Sequence, residues 1–383
     1  MLFLLLGIGL AVLFGAQPLH QQPASFWMRF LGVPLLGWCV LGFGRALLYV
    51  GQQGVADGWD ESRQEDINHS MQRGRRSQQV LGTSLYTGLR ERGQQPATQL
   101  DALLGGTSAL KIQPSRLAEV DVLQSSLPGD TLEYPESVLL RVLVPLLADM
   151  AKTLAQLPDD QPLALLLEFD SGLPASRLSQ IWQQAWSESG IRQPIAPVEG
   201  FGLAAVDHWL DQRIADQALL MVVALQFALL SPEGTAEVAV GLLFGNSLTQ
   251  VALPPLAYLH RPEEEQGQSA EHLLYAVRQA LDWVPLPASS IRQVWAAGRV
   301  AQRGAALATA LAEVSMPAQH TPAFRDMDGL LGDSGQAAPW LAIAAATQNI
   351  QGCAEAQFIF SGGNSVDTGL WCTVLTPATP LST

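Results

Sequence analysis

Residues 330–346 read LLGDSGQAAPWLAIAAA. Gly332-Asp333-Ser334-Gly335 poses a choice between a nucleophilic serine and a structural turn. The nine residues from Ala338 are apolar throughout and are expected to form a helix packed on a sheet. In front of such a helix, Gly332 and Gly335 supply unusual φ values. Asp333 or Ser334 then caps the helix, beginning near Ala337. A nucleophile at Ser334 would need a spatially close His and a buried Asp. A serine hydrolase using Ser334 is therefore kept only as an alternative.

Outward from this stretch the chain alternates buried strands with helices. ESVLLRVLVPLLADMAKTLAQL (136–157) has the spacing of a long amphipathic helix, with Pro145 a point for a kink. LALLLEFD (163–170) is a continuous apolar run, as in a strand covered on both faces. SRLSQIWQQAWSESG (176–190) is expected as a helix ending at Gly190. Helix 203–214, strand 218–230, the turn SPEG and strand 236–246 follow. Helix 272–283, strand 291–298, helix 299–314, and strands 354–363 and 370–377 close the chain. VLGTSLYTGL (80–89) is expected as the first strand. The pattern is that of an α/β fold with a covered sheet. AEVAVGLLFGN (236–246) and AEAQFIFSGGN (354–364) echo one another, which suggests two similar halves, about 80–250 and 251–377.

The 383 residues are 48% hydrophobic and only 15% charged, enough to bury a substantial core. Formal net charge is −14, and the first 50 residues hold Arg29 and Arg45 with no acid. The remainder is thus strongly acidic and repels phosphate backbones, so no nucleic-acid partner is expected. The three cysteines, Cys39, Cys353 and Cys372, form no C-x-x-C pair. They are most simply buried thiols, with a disulfide between the last two left open.

Residues 1–50 are expected as a membrane anchor. MLFLLLGIGLAVLFGA (1–16) spans only ~24 Å as a helix against a hydrocarbon core of ~30 Å. FWMRFLGVPLLGWCVLGFGRALLYV (26–50) is long enough, with Trp27 and Tyr49 as interfacial anchors. A signal peptide would carry a Lys or Arg before its apolar run, and none is present. A transmembrane helical hairpin is favoured. Arg73, Arg75 and Arg76 after it put the carboxyl-terminal domain in the cytoplasm, and Arg29 argues the other way. Residues 51–79 are expected as a polar tether, 80–377 as the folded domain and 378–383 as a tail.

From residue 203 onward the order of elements resembles the β-ketoacyl synthase branch of the thiolase-like fold. LAAVDHWLDQRIADQALLMVVALQ followed by SPEGTAEVAVGLL has the shape of its buried nucleophile helix, strand, turn and second strand. HLLYAVRQALDWVPLPASSIRQVWAAGR (272–299) follows its later helix and strand, and LLGDSGQAAPW stands where its Gly-His turn would be. In that family a thiolate and two histidines carry the chemistry. By the resemblance, Ala297 stands at the first histidine and Asp333 at the second. No cysteine lies between Cys39 and Cys353. The resemblance with these losses implies a pseudoenzyme: no enzyme activity and no cofactor.

The carboxyl-terminal Trp371-Cys372-Thr373-Val374 strand, together with the apolar amino terminus, also resembles the adaptor family that loads phospholipase effectors onto the type VI secretion machine. That implies a non-catalytic adaptor or chaperone at the bacterial inner membrane. Its partners would be a lipase-type effector and the spike protein. A homodimer is implied by analogy with the synthases. A lipid held in a former acyl tunnel is a further alternative.

Other groups have plainer explanations. Asp207 and Asp211 share a helix face, and His208 points away, so a solvated helix end is expected rather than a metal site. Glu263, Glu264 and Glu265 are expected as a solvated loop. His260, His272 and His320 are expected as surface or packing residues. LFGN (243–246) and FSGGN (360–364) lack the spacing and lysine of a nucleotide loop. Trp182 and Trp186 are expected to pack on the sheet, or to serve a protein interface if exposed.

Overall fold

The computed structural model describes residues 2–14, 23–91, 93, 95–117, 120–129, 133–316, 324–362 and 369–378. The chain divides into two units, Met1–Met71 and Gln72–Thr383. The first begins with α1 (Leu2–Phe14) and a short α2 (Ala24–Trp27), followed by a π-helical turn, Met28–Gly32. Helix α3 (Val33–Gly74) then runs on into the second unit. Val33–Gly54 is the one described helix long and apolar enough to cross a membrane. At 22 residues it reaches about 33 Å. Most of the loop that would join a hairpin lies outside the described residues, as do residues 379–383. The stretch expected as a polar tether is helical through Gly74, because its run of Asp, Glu, Gln and Arg contains no proline.

The body of the second unit opens with β1 (Ser77–Tyr86), α4 (Pro96–Leu104) and the hairpin β2 (Lys111–Pro114) and β3 (Asp121–Gln124). Next come α5 (Pro135–Leu154), which continues through Pro145, β4 (Leu163–Ser171) and α6 (Ala175–Ser189). The last of these stops at Gly190, whose φ of 76° is the left-handed turn that a glycine permits. Strand β5 (Ile195–Pro197), α7 (Gly202–Gln212), β6 (Leu219–Phe227) and β7 (Val238–Asn246) complete one half.

The second half contains β8 (Ala257–His260), β9 (Glu263–Glu264), α8 (Ala270–Asp282), β10 (Ile291–Ala297) and α9 (Gly304–Glu313). It ends with β11 (Phe324–Asp326), α10 (Met327–Leu331), α11 (Ala338–Cys353), β12 (Ala356–Ser361) and β13 (Trp371–Pro377).

The strands form one sheet in the order β11-β10-β12-β13-β8-β1-β7-β6-β4-β5, with β9 beside β13. Each half repeats one plan. In order of appearance its strands lie 3-2-4-5-1: the three neighbours 3-2-4 are parallel, and strand 5 is antiparallel to both of its neighbours, 4 and 1. The two halves meet where β1 pairs with β8. The sequence echo does not mark this duplication. β7 is the fifth strand of its half and β12 the fourth of its own, so the echoing segments are not equivalent positions. Alternating small and apolar residues recur in any buried strand.

Three cores follow from this plan. Helices α7 and α11 share one core with residues from both halves of the sheet, among them Val222, Val240, Trp295 and Ile359. Every residue from Ala338 to Thr347 is buried, which explains why the helix is apolar on all faces and rich in alanine. Helices α5 and α6 cover the outer face of the first half. Helices α8 and α9 cover that of the second.

Candidate functional site

The site lies where the carboxyl ends of parallel strands β4 and β10 meet the amino ends of α7 and α11. Glu168, on β4, sits alone in an apolar run and is only 2% exposed. Its Oε1 accepts the Gly202 N–H at 2.6 Å and its Oε2 accepts the Trp340 Nε1–H at 2.9 Å. Burial pushes its carboxyl up, and the two hydrogen bonds pull it back. The strand thereby satisfies the first backbone donor of α7 and an indole of α11 with one carboxylate.

The Gly332–Gly335 stretch is a turn. Gly332 has φ 98° and Gly335 φ 52°. A Cβ at Gly332 would meet the Thr235 carbonyl carbon at 2.7 Å. Asp333 is pinned by its backbone: its N–H donates to Gly234 O at 2.9 Å, and its carbonyl accepts from Ala236 N (2.9 Å) and Gln226 Nε2 (2.6 Å). Its carboxylate takes Arg299 Nε at 2.6 Å and Gly335 N at 2.9 Å. Asp333 thus closes the turn. Of the two capping candidates Asp333 serves, since its carboxylate takes the first backbone N–H of the 3₁₀ turn Gly335–Ala337 that leads into α11; the Ser334 side chain accepts no cap hydrogen bond. Ser334 is 0% exposed and its Oγ has no hydrogen-bond partner, so no base activates it among the described residues.

Across from this turn, β10 ends at Ala297 and enters two left-handed residues, Gly298 (φ 82°) and Arg299 (φ 60°). Asp328 Oδ1 accepts the Gly298 N–H at 2.9 Å. Gly362 N–H donates to Ala297 O at 2.9 Å, and a Cβ on Gly362 would collide with the Gly298 carbonyl oxygen. Burial pushes the Asp328 carboxyl up to about 6, with Asp326 and Asp333 adding to the rise. Burial and the nearby Asp333 charge also raise Asp170 at the end of β4. Ala297 and Asp333 are thus brought to one place, bridged through Arg299. The site presents a guanidinium and buried carboxylates, one of them protonated or ionised according to pH near neutrality.

Other residues singled out in the sequence lie elsewhere. Asp207 and Asp211 both clamp Arg261, at 2.7 and 2.8 Å, and Asp211 lies 3.8 Å from Arg76. His208 is exposed, and among the described residues no cluster could hold a metal. The solvated reading of the acidic run is corrected. Glu265 is buried on Arg303 at 2.7 Å, Glu263 takes the Trp283 indole N–H at 3.3 Å, and Glu263 and Glu264 pair with β13. Pairing with β13 holds Glu263 and Glu264 in place, and Arg303, from the turn after β10, neutralises the buried Glu265.

His260 is buried beside Thr376, Nε2 to Oγ1 3.0 Å, and burial lowers it to about 4. His272 contacts its helix cap Ser269, and His320 lies outside the described residues. Asn246 of LFGN ties Arg213 O and Asp216 O to the Trp209 indole. Gly363 and Asn364 of FSGGN are also outside. Trp182 and Trp186 stack at 5.5 Å against the outer core. Cys353 and Cys372 are free thiols, the first of them exposed.

Sequence reasoning missed Glu168, Asp328, Arg299 and Gln226. A lone acid inside LALLLEFD was a usable signal for the first. Asp328 has no local signal.

No family model matches the chain, and no curated protein does. Solved structures share its fold. The ishigamide ketosynthase/chain length factor superposes with a TM-score of 0.57 at 15% identity, over 79% of this chain and 99% of that one. The ketosynthase from module 6 of the bacillaene synthase of Bacillus subtilis 168 gives 0.53 at 12% identity, over 79% and 72%. AntDE:AntF, a type II acyl-carrier protein in complex with its ketosynthase bound to the hexaketide, gives 0.51 at 11% identity, over 79% and 99%. The fold is thiolase-like. The expectation that the chain is not an enzyme is corrected by these neighbours, which are ketosynthases and hence enzymes. That expectation rested on a missing thiol and missing imidazoles.

Proposed function

We propose that the chain is a membrane-tethered adaptor whose thiolase-like body binds a partner protein. The partner would be an exported lipase-type effector of type VI secretion, with the spike protein as a second. In this reading the body lies in the bacterial cytoplasm behind an inner-membrane anchor, and Ala297 and Asp333 are the altered synthase positions.

One observation carries partner binding: an apolar patch open to solvent beside the site. Leu117 and Leu230 converge on Gly172, two residues past Asp170, where a Cβ would lie 2.6 Å from Leu117 Cδ1 and 3.2 Å from Leu230 Cγ. Leu230 is 77% exposed. Ile112 is 75% exposed and faces Leu123 across the β2–β3 hairpin. Leu230 and Ile112 keep most of their apolar surface in water, as side chains of a partner-binding face do before the partner arrives.

Cross-linking and purification of the full chain from native membranes tests the reading. Recovery of a lipase-type protein, lost with Leu230→Asp and Ile112→Asp, is expected. Recovery of no effector or secretion component, or retention of the partner by both variants, overturns it.

A second reading, acid–base chemistry on an acyl substrate, is favoured by one observation: Asp328 is held by burial at about 6, at the junction with Gly298. Deuterium exchange into the α-carbon of an acyl thioester, present in the wild type and abolished by Asp328→Asn, would support it. No exchange would remove it.

A further inference from the structure

The residues that follow β1 build a second site, on the α5 side of the sheet and apart from the loops around Asp333. A cavity of about 390 Å³ is walled by Tyr86, Arg90, Pro128, Arg141, Val142 and Pro145. That is within the usual range for small-molecule sites, about 300–1,000 Å³. A neighbouring cavity of about 250 Å³ shares Arg90 and Pro128 and adds Lys111. A third, of about 260 Å³, also has Arg90 in its wall. Arg90 is thus common to three adjoining spaces.

Its guanidinium is held in place. One Nη1–H donates to the Leu85 carbonyl at 2.7 Å, and Cζ lies 3.7 Å from the centre of the Tyr86 ring. A guanidinium has five donors in a rigid fork, so a single fixed bond leaves most of them for an oxyanion. Arg141 spends its charge on Glu133, and Arg116 in the second wall on Glu237. Among the described residues of these walls, Arg90 and Lys111 are the cations without an ion pair, in a chain with 35 acids to 21 bases. Glu91 stands in the same walls and disfavours a multiply charged ligand. The Tyr86 ring, Val142 and the two prolines give the larger cavity an apolar surface. A purely polar anion would leave that surface unused, and a cationic amphiphile would face Arg90. The chain also carries a helix long and apolar enough to cross a membrane, where amphiphiles concentrate.

We propose that this cavity binds a single-chain anionic amphiphile. Arg90 hydrogen-bonds its carboxylate or phosphate-ester head, and its aliphatic tail lies against Tyr86, Val142 and Pro145. The site is independent of the partner-protein reading.

The test uses the full chain in native membranes and octanoate carrying a terminal diazirine. After irradiation, peptide mapping should find saturable label on α5 around Val142 and Pro145. Excess octanoate should displace it, and octan-1-ol should not. Displacement by octyl phosphate as well assigns the site to anionic heads in general, and its failure restricts the site to carboxylates; both outcomes support the proposal. Arg90→Gln should lower the labelling about tenfold, the loss of a charge-assisted hydrogen bond. Val142→Trp, which fills the cavity and leaves Arg90 intact, should abolish it and serves if the first variant fails to accumulate. Label confined to Val33–Gly54, equal displacement by octan-1-ol, or labelling unchanged in the two variants overturns the proposal.

Discussion

Trp340, from the most buried helix of the fold, donates its indole N–H to the Glu168 carboxylate at 2.9 Å, 172 residues away in the chain. The other oxygen of Glu168 is taken by the first turn of α7. One side chain thus joins a strand of the first half to both central helices.

Trp340→Phe leaves a buried carboxylate oxygen without a partner. The expected cost is about 1–3 kcal/mol, the usual penalty for an orphaned buried acceptor. Urea unfolding of the wild type and the variant measures it; an unchanged midpoint would show that the bond contributes nothing. With its hydrogen bond gone, the Glu168 carboxyl should rise further.

Asp328 gives the protein a pH dependence of known sign. Its carboxyl rises from 3.8 to about 6 on folding, so between these values the native state binds more protons than the unfolded one. Stability should therefore be greatest at the acid end of this window and fall as pH rises through it. The fall attributable to this group is about 3 kcal/mol at most. Asp328→Asn should flatten the slope over that window in pH-resolved unfolding, and a slope equal to that of the wild type would refute the assignment.

Arg116 and Glu237 form a buried pair at 2.8 Å, and Glu237 also accepts the N–H groups of Leu127 and Ala228. Arg116→Met strands the carboxylate and should cost about 3–5 kcal/mol. Arg116→Met combined with Glu237→Gln should recover part of that loss. Thermal unfolding of the two variants separates them, and equal destabilisation would show that no charge was stranded.

Gly362→Ala should be among the most damaging small substitutions. Its Cβ would occupy the space of the Gly298 carbonyl oxygen, and neither backbone can yield without breaking the Gly362–Ala297 hydrogen bond. Loss of more than about 3 kcal/mol, or failure to accumulate, is expected. Gly352→Ala, at an open helical position, serves as the control and should be neutral or slightly stabilising.

Local chemistry in the sequence determined the elements of this protein. Apolar runs such as 163–170 and 338–346 became a buried strand and a helix enclosed on all sides, and Gly190 and Gly332 turned the chain where only a left-handed φ serves. These signals act over a few residues, so the order of the chain suffices to read them. The short strands β5, β8, β9 and β11 were not legible, because two to four residues carry no period and exist only by pairing with a neighbour. The 3-2-4-5-1 order, and the non-equivalence of the two echoing segments, came from pairing between distant strands. The site was decided the same way. Glu168 with Trp340, Arg299 with Asp333 and Glu265 with Arg303 are stabilised by burial that only the folded sheet provides. A carboxylate in a sequence looks alike whether water or a guanidinium will surround it.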